Sequence, residues 1–247
     1  MKVHCSVCDL ELGDHWTACP NFWCHRTDRG FDVVWSAAAH AGDTRRSIAA
    51  LKYRGDLSAA DALTAPLAAV LLSHPGAFDD VELITTVPGH PSKRRPIDHT
   101  AALLGSLRTQ VGHLWEVDHL CPPVIVKRRE VAPMTGLSSI GARRVHAAGE
   151  LRGALEVPDP SRVRDLRILV VDDVLTGGST LREVALALRQ AGASAVSGLV
   201  VARRPLRRSP LPPDATTVRR KPPGNVGSQR WSRPPDGERP GPAGSPR

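Results

Sequence analysis

Residues 167–181, RILVVDDVLTGGSTL, decide the fold of this chain. An apolar strand ends in two adjacent carboxylates, Asp172 and Asp173, and a glycine-containing loop then leads into a helix. A helix N-terminus presents unpaired backbone N–H groups and the positive end of a dipole, and both suit a phosphate. The pattern therefore predicts a site for a phosphorylated sugar at the carboxyl end of a strand in an open α/β sheet.

The loop residues supply two kinds of contact. Gly177 and Gly178 allow the backbone to approach a ligand closely and to adopt angles that a side chain would forbid. Thr176, Ser179 and Thr180 add hydroxyl groups that can hydrogen-bond to a phosphate. Because the two carboxylates repel a phosphate, we expect them to accept hydrogen bonds from the diol of a ribose instead.

Other strand–loop–helix motifs fit this segment less well. The dinucleotide pattern G-x-G-x-x-G and the P-loop pattern G-x-x-x-x-G-K-[ST] are both absent. A receiver-type acidic pocket would also place paired acidic residues after a strand, but it would not need the Thr-Gly-Gly-Ser-Thr loop. An ordinary turn without a function is disfavoured because strand, loop and helix all agree with the motif.

Strands alternate with helices over the rest of the chain, which indicates a parallel, wound α/β sheet. A cap at Thr44 begins the first predicted helix. The predicted helices are 44–54, 57–73, 97–111 and 180–191. The predicted strands are 81–87, 124–126, 168–171 and 195–202.

Four of the five cysteines lie near the N-terminus as two pairs, Cys5-x2-Cys8 and Cys19-x4-Cys24. Two such knuckles supply four thiolates for a tetrahedral structural zinc ion, and four protein ligands leave no position for a substrate. A segment this short cannot form a stable hydrophobic core and needs a cross-link such as a bound metal or a disulfide. In a cytosolic context, zinc is favoured over a disulfide or free thiols. His4 and His25 are alternative ligands.

The net charge of +8 belongs to the C-terminus. Residues 203–247 contain eleven Lys or Arg and three Asp or Glu, so residues 1–202 hold 22 of each and are neutral. This segment also holds eleven of the 22 prolines, and a chain of that composition cannot bury enough apolar surface to fold. We expect a disordered basic tail over 205–247 that contacts nucleic acid weakly if at all. Without an apolar run of membrane-span length or a secretory leader, the expectation is a cytoplasmic protein with no membrane insertion.

Three basic clusters precede the acidic–glycine motif; one is Arg143-Arg144, and the other two are candidate ligands. Lys93, Arg94 and Arg95 follow a predicted strand, and 127–129 reads Lys-Arg-Arg. A ligand that carries a 5′-phosphate and a pyrophosphate brings more negative charge than one helix N-terminus can neutralise. Both clusters are candidates to bind the pyrophosphate, and the position of the first, directly after a strand, favours it.

Residues 167–181 closely resemble the phosphoribosyl pyrophosphate (PRPP) signature of type I phosphoribosyltransferases. The order of motifs along the chain is similar to that of the ComF family of competence-associated proteins over roughly residues 3–204. After the four cysteines, these motifs are IAALKYRG at 48–55, TVPGHPSKRR at 86–95, KR at 127–128, GLS at 136–138, RR at 143–144 and GA at 192–193.

The resemblance implies a type I phosphoribosyltransferase-like wound parallel sheet over 31–204, behind a small zinc-ribbon-like module over 1–30. It implies that Asp172 and Asp173 bind the ribose hydroxyls and that residues 176–180 bind the 5′-phosphate of PRPP, which is used with Mg²⁺. The reaction would transfer ribose 5-phosphate to a nitrogen acceptor, with the two carboxylates stabilising positive charge on the ribose. The family is tied to DNA uptake, so uptake proteins, single-stranded DNA and a second copy of the chain are expected partners.

The sequence departs from the family on the side of the pyrophosphate and the acceptor. The usual Arg-Gly-Phe-Asn is here Arg95-Pro96-Ile97-Asp98, and proline removes an N–H from that turn. Met134-Thr135 stands where glutamine precedes Gly-Leu-Ser, and His146 stands where asparagine follows the arginine pair. A non-catalytic adaptor that binds PRPP or a nucleotide is therefore the alternative function.

Overall fold

A computed structural model describes residues 3–13, 16–74, 76–89, 96–129, 131 and 139–206. The basic cluster Lys93–Arg95, the Gly-Leu-Ser motif and the tail beyond residue 206 lie outside the described residues. Within the described part, no helix combines the length and the apolar character needed to cross a bilayer.

A four-stranded parallel sheet forms the centre of the molecule. It contains β3 (Val34–Ala39), β4 (Leu83–Thr86), β7 (Arg167–Leu175) and β8 (Ala195–Arg203), in the order β3-β8-β7-β4. In β7, Ile168 aligns with Val196 of β8 and with Leu83 of β4. Because β7 has partners on both edges, its carboxyl end opens at the middle of the sheet, where ligands bind in folds of this kind.

Helices cover both faces of this sheet. The helices α1 (Gly42–Ala49), α2 (Ser58–Ser73) and α3 (His99–Val111) pack on one face, and α5 (Ser179–Gln190) packs on the other. Alternate residues of β7 serve the two cores: Ile168 and Val170 face α5, whereas Leu169 and Val171 face α2 and α3. Burial on both faces explains why β7 begins as a continuous apolar run.

The four cysteines belong to a small module at the N-terminus. Its antiparallel strands β1 (Val3–His4) and β2 (Glu11–Leu12) hold the first knuckle, and a 3-10 turn at Phe22–His25 holds Cys24. Asp9 fastens the module to β3, since its Oδ2 accepts hydrogen bonds from the backbone N–H and the hydroxyl of Ser36. The module shares the α5-side core, so it is an integral part of the fold.

A second small element projects from the sheet. The strands β5 (Val126–Lys127) and β6 (Leu155–Glu156) form an antiparallel pair, and α4 (Ile140–His146) lies between them in sequence. The predicted strand 124–126 is therefore displaced by two residues and does not join the central sheet. A buried network around Asp118 holds the preceding segment against β4 through the hydroxyl of Thr85.

The predicted helices and strands are largely confirmed, and three differences are notable besides the displaced strand at 124–126. The helix of 44–54 begins at Gly42 rather than at a Thr44 cap, and a wide π-type turn, Ala50–Arg54, continues it to Gly55. β7 runs to Leu175, so both carboxylates lie within the strand rather than after it. The edge strand β3 was not predicted, because small residues fill its second half and no apolar alternation marks it.

Candidate functional site

The two carboxylates point toward opposite faces of the sheet, because they are consecutive residues of an extended strand. Asp173 turns toward the α1–α3 face, and Asp172 turns toward the face covered by α5. Both are buried, and the backbone N–H of Asp173 donates a 2.9 Å hydrogen bond to Asp172 Oδ1. The sequence brings the pair together as predicted, but not as two side chains that face the same way.

Asp173 is held by two basic residues from the helical face. Lys52 Nζ donates a hydrogen bond to Asp173 Oδ2, and His99 Nε2 lies 3.3 Å from the same oxygen. Lys52 comes from the wide turn after α1, and His99 is the first residue of α3. This carboxylate is therefore oriented by side chains from two other elements.

The surroundings separate the acidities of the two carboxyls. Burial and the negative charge of Asp173 raise the pKa of Asp172 to about 7. Burial also opposes the ionisation of Asp173, but the positive charge of Lys52 and the hydrogen bond from His99 outweigh it and hold the pKa of Asp173 well below its usual range. At neutral pH the pair contains one firmly ionised carboxylate and one that can gain or lose a proton.

The loop after β7 leads directly into α5. Gly178 caps this helix with φ +86°, a left-handed conformation that an L side chain rarely adopts, and Ser179 and Thr180 form its first turn. Thr176, Gly177 and Thr180 are partly exposed, whereas Gly178 and Ser179 are buried. The predicted phosphate-binding residues therefore lie together at a helix N-terminus, beside the carboxyl end of the central strand.

Arg203, at the end of β8, holds the start of this loop through hydrogen bonds to its backbone. Its Nη1 donates to the carbonyl oxygens of Leu175, Thr176 and Arg204 at 2.6–2.9 Å, and its Nε donates to the carbonyl of Cys8 at 3.0 Å. Only 5% of the residue is exposed. The sequence assigned this arginine to the charge of the tail, and the structure instead places it inside the fold.

The four cysteine sulfurs are arranged as zinc ligands. All four Sγ atoms lie within 4.8 Å of one another, and three of the pairs are separated by 3.7 Å. A tetrahedral ion with zinc–sulfur bonds of about 2.3 Å would separate its sulfurs by about 3.8 Å. The residues that the sequence identified, Cys5, Cys8, Cys19 and Cys24, therefore fit a structural zinc ion.

The acidities of these thiols also favour a bound cation. Hydrogen bonds from Cys19 and Cys24 lower the pKa of Cys8 well below its usual value, whereas the hydrogen bond to Cys19 helps to raise that of Cys24. Four crowded sulfurs cannot all ionise without a positive partner. His4 and His25 bond instead to backbone carbonyls, at 3.2 Å and 2.5 Å, so they act as neighbours of the cluster.

Two basic regions were candidates for the pyrophosphate. The predicted residues Lys93, Arg94 and Arg95 lie outside the described residues. In the second region, Arg128 forms an ion pair with Glu156, and Arg129 Nη1 lies 3.0 Å from Glu150 Oε2. These two arginines therefore already have carboxylate partners, Glu156 in β6 and Glu150 in the segment between β5 and β6.

The ends of the first basic loop are described, and each lies against a segment that carries a partner of Asp173. A side chain at Gly89 would meet the Asp98 carboxylate at 2.2 Å, so the backbone passes directly over the cap of α3. On the other side, Pro96 packs against Gly55, three residues after Lys52. The loop between these ends therefore starts and finishes beside the residues that hold Asp173.

Sequence reasoning missed three residues that organise this site: Lys52, His99 and Arg203. Lys52 was recognised only as a position in a predicted helix and as part of the IAALKYRG motif, and His99 only as a residue of a predicted helix after Asp98. The available signals were that His99 follows the helix cap Asp98 and that Arg203 stands at the end of an apolar strand. Lys52 and His99 lie 121 and 74 positions before their partner Asp173 in the sequence. Local sequence patterns do not encode contacts over such separations.

Comparison with known proteins gives one family-model match. Residues 121–227 match the family model of the phosphoribosyl transferase domain. The described part of this range includes both carboxylates, the glycine loop, α5 and β8. The predicted fold class, a phosphoribosyltransferase-like α/β sheet with an N-terminal four-cysteine module, is confirmed.

Solved structures with some similarity are larger enzymes. One is the glutamine phosphoribosylpyrophosphate amidotransferase from B. subtilis in complex with ADP and GMP, with 20% identity, a TM-score of 0.36 and 58% of this chain covered. Another is described as the allosteric regulatory enzyme of purine biosynthesis, with 21% identity, a TM-score of 0.34 and 57% of this chain covered. This chain spans about a quarter of the length of either one, at 26% and 25%. No curated protein matches the chain.

Proposed function

We propose that this protein is a PRPP-binding phosphoribosyltransferase of the ComF type, which transfers ribose 5-phosphate to a nitrogen acceptor in DNA uptake or nucleotide metabolism. One observation carries the proposal. A buried acidic pair at the carboxyl end of the central strand is followed, without interruption, by a Gly178-capped helix N-terminus. This order supports the proposal because one strand–loop–helix unit carries both carboxylates that can accept hydrogen bonds from a diol and N–H groups that can donate to a phosphate.

Each group has a separate task in the proposed complex. The 5′-phosphate would accept hydrogen bonds from the N–H groups and hydroxyls of residues 176–180. The ribose hydroxyls would donate to Asp172 and Asp173, with Lys52 and His99 keeping the second carboxylate ionised and in place. Because these groups are fixed before the ligand arrives, little ordering would be required on binding.

The transfer would break the bond between the anomeric carbon and a pyrophosphate oxygen, and the electron pair would leave with the pyrophosphate. The acceptor nitrogen would supply the pair for the new carbon–nitrogen bond and would release its proton to water. Positive charge that develops on the ribose would be stabilised by the two nearby carboxylates. The basic residues Lys93, Arg94 and Arg95 are proposed to receive the pyrophosphate, since each end of their loop lies against a segment that carries a partner of Asp173.

Magnesium is expected to accompany PRPP. Among the described residues, the only cluster of three or more metal-ligand side chains is the four cysteines, and the Asp173 carboxylate is already bonded to Lys52 and His99. The acidic pair does not form a magnesium site of its own. An ion would have to be held mainly by the oxygens of the pyrophosphate, so no step is assigned to a metal bound by the protein.

The test combines ligand binding with turnover. Calorimetry should detect PRPP binding to the wild-type protein and none to an Asp172→Asn/Asp173→Asn double variant. An Asp159→Asn variant is the matched control, since Asp159 is an exposed carboxylate that caps a short 3-10 helix outside the loop. Undiminished PRPP affinity in the double variant would refute the assignment of the carboxylates.

The adaptor remains a second candidate, favoured by Pro96. This residue replaces the family's glycine and packs against Gly55 beside the turn that carries Lys52. A panel of nucleobases and amines, offered with PRPP, separates the two functions through pyrophosphate release. Release that disappears in the double variant supports the enzyme, whereas PRPP binding without release for any acceptor supports the adaptor.

A further inference from the structure

Two side chains connect the cysteine module to the loop that is proposed to bind the 5′-phosphate. Arg203 contacts Cys8 on one side, through its Nε to the carbonyl and its Nη2 to Sγ at 3.4 Å. On the other side it donates to the carbonyls of Leu175 and Thr176. One buried guanidinium therefore bonds both to a zinc-ligand residue and to the backbone just before the two glycines.

Trp23 makes the second connection. It lies within the second cysteine pair, and its indole Nε1 donates a 3.4 Å hydrogen bond to the hydroxyl of Ser179. Its ring also lies against Gly178, 3.7 Å from where a side chain would begin. The Arg182 guanidinium stacks on the Trp23 ring, 4.4 Å from the ring centre, and donates a hydrogen bond to Asp28.

Charge explains why the Arg203 contact depends on the module. Four cysteine thiolates around one divalent ion carry a net charge of about −2, and such sulfurs accept hydrogen bonds from cations. A buried arginine beside them is neutralised in part by this charge. If the ion is lost, the thiols take up protons and the two cysteine pairs are no longer held together by a shared ion. Arg203 would then lose its partner at Cys8 and its fixed position under Thr176.

We propose that Arg203 is a positioning residue that transmits the metal-bound state of the cysteine module to the ribose-phosphate loop, with Trp23 as a second contact. The metal-bound module holds the carbonyls of Leu175 and Thr176 in place, and thereby orients the N–H groups at the start of α5. Loss of the ion loosens this loop and weakens binding of the 5′-phosphate. The ligand part of the inference rests on the proposed function, whereas the coupling itself does not.

The first experiment needs no ligand. Backbone amide hydrogen exchange is followed for residues 175–180 in the metal-loaded protein, together with its zinc content. In Arg203→Gln, which removes the charge and most of the hydrogen bonds, we expect exchange at these amides to accelerate about tenfold or more while zinc is retained. Arg203→Lys should give an intermediate value, since one ammonium cannot reach all five acceptors.

The matched control is Arg189→Gln. Arg189 also binds backbone carbonyls, those of Gly30 and Ser194, but at the opposite end of α5. Its substitution should leave exchange at 175–180 within twofold of wild type. A folded, zinc-loaded Arg203→Gln protein with wild-type exchange at these amides would overturn the coupling. If that variant does not fold, Arg203→Lys decides by the same criterion.

The second experiment measures the ligand consequence with two probes. Calorimetry of ribose 5-phosphate should show a dissociation constant about tenfold higher in Arg203→Gln, whereas that of pyrophosphate should be unchanged, because only the loop is displaced. Equal weakening of both probes would indicate a general loss of structure and would overturn a positioning role. A wild-type protein that binds neither PRPP nor ribose 5-phosphate would refute the proposed function, and the exchange experiment would still decide the coupling.

Discussion

At the scale of single residues, the site depends on the unequal acidities of Asp172 and Asp173. Asp173 is kept ionised by Lys52 and His99, and burial beside that charge raises the pKa of Asp172 to about 7. Two carboxylates that are adjacent in sequence thus differ in charge at neutral pH because the sheet turns them toward different neighbours.

The raised pKa of Asp172 predicts a specific pH dependence of stability. An exposed aspartate titrates near about 3.9, so between about pH 4 and 7 the folded protein retains a proton that the unfolded chain has lost. Stability from this group therefore falls as the pH rises through that window. Asp172→Asn lacks this titration. Its free energy of unfolding, relative to that of wild type, should therefore rise by about 2–3 kcal/mol when the pH is raised from 5 to 8.

Urea unfolding at both pH values measures this difference. Asp159→Asn is the control, since that exposed carboxylate has a lowered pKa and is ionised throughout the range. Its difference from wild type should be the same at pH 5 and pH 8. Parallel pH profiles for Asp172→Asn and wild type would contradict the raised pKa.

Lys52 is predicted to stabilise the fold through Asp173. Lys52→Met would leave the buried carboxylate of Asp173 with only His99 beside it, and such a loss costs about 3–5 kcal/mol. The cost should shrink in acid, because the buried Asp173 of the variant, no longer beside the Lys52 charge, can take up a proton there, and Lys52→Arg should retain most of the stability. Chemical denaturation at pH 7 and pH 4.5 tests this, and an equal cost at both values would show that the ion pair is not its source.

Residue identity predicted some of these roles and not others. The carboxylates, the loop hydroxyls and the four cysteines could be named because each belongs to a compact local pattern whose chemistry is readable. The roles of Lys52, His99 and Arg203 could not, since each is defined by a partner brought close only by the sheet. Arg203 also followed a neutral stretch and preceded a basic one, so its charge was assigned to the tail.

At the scale of elements, the turn from β7 into α5 is the unit on which the proposed function depends. Its backbone reverses through Gly178, whose positive φ allows the next two residues to begin the helix. A side chain there would meet Leu175, Phe31 and Trp23 at ordinary contact distances of 3.7 Å. The requirement for glycine is therefore conformational rather than steric.

Gly178→Ala is predicted to impair both stability and binding. The left-handed conformation costs an L residue about 1–2 kcal/mol, and relaxation toward negative φ would turn the first N–H groups of α5 away from the phosphate. Gly149→Ala, at a helical position with open space around it, should be neutral or slightly stabilising. Thermal unfolding and PRPP titration of both variants test this, and unchanged PRPP affinity in Gly178→Ala would contradict the proposed role of the loop.

Helices and strands were predictable where local signals agreed. α5 has a clear helical period, α2 is rich in Ala and Leu, and β8 is a largely apolar run, and their predicted bounds differ from the structure by one residue. The strand β3 and the β5–β6 pair lacked such signals, because β3 ends in small residues and β5 is only two residues long. Their positions are determined by pairing with β8 and β6, which is a tertiary property.

At the scale of the whole molecule, the α/β core extends beyond its last strand. Leu206 is only 8% exposed and packs in the core on the α5 side, although the predicted tail begins at 205. A truncation that removes 207–247 should therefore leave stability unchanged, whereas removal of 205–247 should cost about 1.5–3 kcal/mol, the value of one buried leucine.

Urea unfolding of the two truncated proteins provides the measurement. Equal stabilities would show that Leu206 does not contribute to the core. The shorter truncation also tests the basic tail: if retention on single-stranded DNA at moderate salt is the same with and without 207–247, the tail is not the contact. A loss of retention would assign DNA binding to the tail rather than to the folded part.

The bond between Cys8 and Arg203 spans 195 residues, and β3 near the N-terminus pairs with β8 near the end of the described chain. During synthesis, the metal-binding knuckles leave the ribosome long before the strand that completes their surroundings. Contacts of such long range slow folding, so the central sheet can form only after β8 has been synthesised. Until then the four cysteines lack the β8 contact through Arg203, and any ion they bind has to be held by the N-terminal module alone.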